Sequence, residues 1–164
     1  MANTVANVLV GVATVKMGAA GNAAAAATLL GYTEDGVTLE YTADIADIEV
    51  EEETFPINRV ITKETVTVTL NCAESLLANL GYAMGGADGL VSPVVLGGGA
   101  LQEFSLKIDG IPPLATSRTI EINWVHAIGT VGMAYKKGEK TVIPVSFAAF
   151  KGLETDDVVT ITDV

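Results

Sequence analysis

The sequence predicts a mainly β protein, an antiparallel β-sandwich or barrel with one flanking α-helix. Period-two alternation of apolar and polar residues recurs along most of the chain. Prolines and glycine clusters cut the alternating runs into strand lengths. Only 71–86 carries helical spacing instead. At 164 residues and 16.9 kDa the chain fits one domain, 1–164, with a core of its own. Aromatic residues make up 5%, so Val, Ile, Leu and Ala must supply most of that core.

The first expected strand is 4–15, followed by a small-residue loop or short helix near 16–31 that includes five consecutive alanines, 23–27. The apolar start does not read as a signal or a membrane span. Nothing before Lys16 is basic, and Lys16, Gly18, Gly21 and Asn22 interrupt the run.

The segment 31–86 is the most regular. It reads as three strands, GVTLEYT, DIADIEVEEE and NRVITKETVTVTL, and then a helix. Val37, Leu39 and Tyr41 alternate with Thr38, Glu40 and Thr42, and Ile48 and Val50 alternate with Asp47, Glu49 and Glu51. Ile45 is out of phase, which predicts a bulge or a bend near Ala46. Val66, Val68 and Leu70 are expected inward, and Thr65, Thr67 and Thr69 outward. Pro56 marks the 53–57 connection as a loop or an edge segment. Asn71 and Glu74 have the spacing of a helix cap, and Leu76, Leu77, Leu80 and Met84 form a stripe expected to cross the sheet.

A glycine-rich connection follows at 85–100, long enough to imply a job. Strands are then expected at 101–109, 118–125, 141–150 and 158–162, with Pro112 and Pro113 as a break and 136–140 as a charged turn. Ile120, Ile122 and Trp124 share the expected core face of one strand. Pro144 predicts that 141–150 lies at a sheet edge.

The sequence offers little for catalysis. The single His126 lacks a nucleophile elbow to serve, and Cys72 reads as a small residue at the sheet–helix junction. One Cys and one His make no zinc set, and the acidic runs lack calcium-loop spacing. There is no P-loop or dinucleotide fingerprint. No enzyme activity, cofactor or metal is expected. A net charge of −11 argues against a surface that grips nucleic-acid phosphates. The lone cysteine excludes an internal disulfide.

The order of four elements carries a resemblance: GYTEDGVTLEY, the acidic DIEVEE strand, the PINRV segment leading into a Thr-rich strand, and the AESLLANL helix. Together they resemble the major tail tube protein family of long-tailed bacteriophages. That resemblance implies a β-sandwich whose subunits form hexameric rings stacked into a hollow tail tube. It implies that strands of neighbouring subunits join in one barrel around the lumen. Thr38, Glu40, Asp47, Glu49 and Glu51 become lumen-lining candidates, and Thr65, Thr67 and Thr69 are further ones. Loops at 52–59 and 85–99 become candidates for ring-to-ring contact. The implied partners are the protein itself and tape-measure, tail-terminator and distal-tail proteins, while DNA transits without specific binding and no membrane is involved. The implied location is the virion tail, assembled in the bacterial host cytoplasm.

Two other readings compete. One is the inner tube or ring protein of a contractile secretion or phage-like particle. The other is a monomeric β-sandwich binding module, which the scarcity of aromatic residues disfavours.

Overall fold

The computed structural model describes residues 12–85, 101–111, 117–135, 137–153 and 157–163. It is mainly β, as expected: eight strands in one antiparallel, sandwich-like sheet with one helix. The strands are β1 (Val12–Ala19), β2 (Thr28–Leu29), β3 (Thr33–Ile48), β4 (Asn58–Cys72), β5 (Phe104–Ile111), β6 (Arg118–Ile128), β7 (Ile143–Ala149) and β8 (Val159–Asp163). Helix α1 spans Leu77–Ala83, and Ala23–Ala25 form a single 3-10 turn. The strand order is β2-β1-β5-β6-β7-β4-β3, with β8 also paired to β6. The early part of the first expected strand, the connection beyond Gly85, Pro112, Pro113 and Lys136 lie outside the described residues.

Alternation builds the core. Val15 and Met17 of β1, Leu106 and Ile108 of β5, Val68 and Leu70 of β4, and Val145 and Phe147 of β7 are all buried. Their sequence neighbours Lys16, Lys107, Thr69 and Ser146 stay at least partly exposed on the opposite face. Each fully buried aliphatic or Phe side chain contributes about 1.5–3 kcal/mol relative to exposure.

β6 departs from simple alternation. Phe104 pairs with Val125 and Leu106 with Ile122, so Asn123 and Trp124 together oppose Ser105. That bulge shifts the phase, burying Ile122 and Val125 three positions apart. Trp124 therefore leaves the core face expected for it and packs edge-on against Phe150, with ring centroids 5.9 Å apart. Beyond the bulge β6 changes neighbour: Arg118–Ile122 pair with β8, and Val125–Ile128 pair with β7.

Three other expectations are corrected. The strands expected at 36–42 and 44–53 are one strand, β3, which ends at Ile48, so Glu49 and Glu51 lie in the connection to β4. The helix begins after Leu76 with no side-chain cap, because Asn71 is held in β4 opposite Pro144. Its inward side carries Asn79, Tyr82 and Ala83, while Leu76 and Leu77 are exposed. The Asn79 Nδ2 donates to the carbonyls of Leu30 (2.9 Å) and Glu74 (3.0 Å), which fixes the helix over the sheet. Finally, β7 lies between β6 and β4 rather than at an edge. β6 reaches only as far as Ser146, so at Pro144 β7 has one neighbour, the local setting a missing amide tolerates.

Candidate assembly surface

β3 and β4 form a hairpin that outruns the rest of the sheet. β7 pairs with β4 only along Thr67–Cys72, so from Val66 outward the hairpin is a two-stranded ribbon. The unsupported part of β3, 41–48, projects roughly 23 Å at ~3.3 Å per residue. A ribbon of two strands is marginal in water by itself.

Two irregularities shape the hairpin. Asp35 and Gly36, both at positive φ, are extra residues between the pairs Glu34–Asn71 and Val37–Leu70. Farther out Asp44 pairs with Lys63 but Ile45 with Ile61, so the extra residue is Thr62 of β4. The Thr62 Oγ1 donates to the Asp44 carbonyl at 3.1 Å. The sequence placed this bulge on β3 near Ala46. With the insertion on β4, β3 keeps its phase from Val37 to Ile48.

That phase separates the candidate residues. Thr38 and Glu40 share one exposed face with Thr67 and Thr69, their cross-strand partners. Asp47 falls on the opposite face, where its Oδ1 accepts from Arg59 Nε at 2.9 Å. Glu49 and Glu51 are exposed at the tip beyond the last ladder pair. Thr65 shares the Glu40 face and is partly covered. The structure thus brings Thr38 and Glu40 together and does not bring Asp47, Glu49 or Glu51 to them.

The ribbon's apolar residues are uncovered on both faces. Ile45 and Ile61, directly opposite one another, are 60% and 55% exposed. On the other face Ile48 and Val60 are also exposed, and Phe55 at the tip reaches 81%. The Tyr41 hydroxyl donates to Glu64 Oε1 at 2.6 Å, and that bond raises its pKa, with slight desolvation and the Glu64 charge adding to it. The tip itself is ordered by backbone bonds from Ile57 N to Ile48 O (2.9 Å) and Glu53 N to Val50 O (3.4 Å).

No family model matches this chain, and no curated protein matches it. Among the solved structures that match is the tail of an empty GTA (gene transfer agent) particle with C6 symmetry, at 9% identity and TM-score 0.49. The match covers 90% of this chain and 95% of that one. At this level the likeness assigns no family.

A second polar surface was not visible in the sequence. The outward face of β1, β5 and β6 carries Lys16 paired with Asp109 (2.7 Å) and Lys107 paired with Glu121 (2.9 Å). Thr119 Oγ1 also donates to Asp109 at 3.1 Å. Burial pushes the Asp109 carboxyl up, but the bonds from Lys16 and Thr119 and the charges of Lys16 and Lys107 outweigh it, leaving its pKa lowered. At the end of β6 the Arg118 guanidinium makes a two-pronged contact with Asp163 of β8. The signal existed as opposite charges on alternating strands, but it needed the register to be read.

The groups weighed for chemistry have other partners. Cys72 is buried, and burial, with Glu74 adding, pushes its thiol up to about 11. His126 stacks flat on Phe150 at 4.0 Å, with Nδ1 3.2 Å from the Gln102 carbonyl. Among the described residues no three metal-binding side chains cluster, and no helix is long and apolar enough to cross a membrane.

Proposed function

We propose that this chain is a structural subunit that assembles into stacked hexameric rings, forming the hollow tail tube through which phage DNA passes. The observation that carries the reading is the β3–β4 ribbon, whose Ile45 and Ile61 are exposed on the face opposite Glu40 and need a neighbour to cover them. The order of elements shared with tail tube proteins supports it. Joining ribbons edge to edge removes the open edges that a solitary subunit presents.

In the tube the Thr38–Glu40 face, with Thr67 and Thr69, lines the lumen. Glu40, repeated around a ring, repels phosphates so that DNA passes without being held. Asp47, Glu49 and Glu51 serve elsewhere: Asp47 pairs with Arg59 within the hairpin, and the two glutamates face adjoining subunits. Tape-measure, terminator and distal-tail proteins are the partners this role requires, and the virion tail its location.

Negative-stain electron microscopy of concentrated protein tests the proposal. Rings or tubes of uniform diameter are expected. A protein that stays monomeric at every concentration and salt overturns it.

A further inference from the structure

The two ends of the hairpin differ in character. At the tip Glu49, Glu51, Glu52 and Glu53 are exposed, beside Phe55 and Ile57. None of those four carboxylates enters an ion pair among the described residues. At the base, Cys72 pairs with Ile143 at the start of β7, and the Lys140 ammonium bonds Glu34 at 2.7 Å. The connection between β6 and β7 is thereby fastened at the end of the hairpin remote from its tip.

That connection holds a groove of about 450 Å³ lined by Gly132, Met133, Ala134, Glu139, Lys140 and Val142. Tyr135 is 79% exposed beside it, and Lys137 is exposed with no ion pair among the described residues. Lys16, Arg59, Lys107, Arg118 and Lys140 are all engaged internally, so Lys137 is one of few cations left to meet another molecule.

We propose that the acidic, apolar tip of one copy's hairpin docks in the groove between the Met133 and Val142 side chains of a second copy, with tip carboxylates facing Lys137 and Phe55 or Ile57 entering the groove. This rests on the assembly reading above and names its axial contact. The two surfaces sit at opposite ends of β3, roughly 45 Å apart at ~3.3 Å per residue. A contact between unlike surfaces displaced along one direction does not close on itself; it propagates. Tip against tip would oppose four carboxylates to four, so only the head-to-tail arrangement is favoured. The charges are exposed, so the contact weakens as salt shortens the screening length below ~8 Å.

A carbodiimide cross-link on assembled protein, made from mixed unlabelled and nitrogen-15 copies, tests it directly. Peptides joining Lys137 to a tip glutamate are expected, with one label from each parent. Their absence overturns the docking. In a second arm, K137E and E51K/E52K/E53K are each expected to shorten mean tube length at least about five-fold, and their combination to restore it to within about two-fold. Unchanged tubes in K137E, or no restoration in the combination, overturns the docking and leaves the ring reading standing. Wild-type protein that forms neither rings nor tubes overturns the ring reading instead.

Discussion

A Cβ on Gly152 would stand 2.1 Å from Cδ2 of Trp124. The indole therefore lies directly against the backbone at 152, and Gly21 flanks it too, where a Cβ would be 3.0 Å from Cζ2. The β6 bulge turns Trp124 out of the core, and two glycines make the slot that receives it. Gly152→Ala should lower stability by about 1–3 kcal/mol in urea unfolding, since neither ring nor backbone can yield cheaply. Gly132→Ala, with nothing within 4 Å of the added carbon, should change it by less than about 0.5 kcal/mol. Equal stabilities for the two variants would contradict the slot.

Cys72 should be inert in the folded protein. Its thiol pKa of about 11 lies above the ordinary 9.0, so the folded state favours the neutral form. The stability this group contributes is fully present below about pH 9 and is lost as pH rises through about 11. A thiol reagent at pH 8 should label it only on unfolding; rapid labelling of native protein would refute its burial.

The Ile45–Ile61 pair separates folding from assembly. Both residues are uncovered, so changing both to Thr keeps strand propensity and should alter monomer stability by no more than about 0.5 kcal/mol. Light scattering should nonetheless show assembly reduced at least ten-fold, because the neighbour loses its apolar contact. Normal assembly by this variant would remove the ribbon from the interface.

Asp109 should contribute to the acid limb of the stability curve. Its folded pKa is below the ordinary 3.8, so its stabilisation is present above about pH 4 and lost as pH falls through the folded value. Asp109→Asn should destabilise at pH 7 by about 1 kcal/mol and flatten the loss of stability below about pH 4. Asp163, lowered by Arg118, retains part of that limb. A variant with an unchanged acid limb would remove Asp109 from it.

Hydrogen exchange should distinguish the ribbon from the sheet. In free subunits, amides of 42–48 and 58–64 should exchange far faster than those of 67–72, which β7 also flanks. Assembly should protect the outer set.

Much of the fold was legible because alternation is local. Val66, Val68 and Leu70 point inward as their spacing predicts, and Pro56 sits in the connection. What escaped depended on a partner strand. Trp124 alternates correctly with Ile122 in sequence, yet the register with β5, where Ser105 faces two residues of β6, turns it out. Pro144 reads as an edge signal because sequence does not show where β6 stops. The phase of Asp47 against Glu40 hinged on which strand held one extra residue, and Thr62 on the partner strand decides it. Asn71 had the chemistry of a helix cap, but the ladder to β7 claimed it.

The seam between β1 and β5 joins Val12 to Ile111 and Ala19 to Phe104, whereas the hairpin joins residues that are near one another in the chain. Local pairings close early during folding and distant ones late. The hairpin pairing is therefore expected to begin while the seam is still open, although a ribbon that is marginal by itself lasts only once β7 flanks its base. In that interval a crowded population of half-folded chains can join through the right surface at the wrong time. Slower synthesis and lower temperature, which give the seam time to close, should raise the yield of subunits that assemble in order.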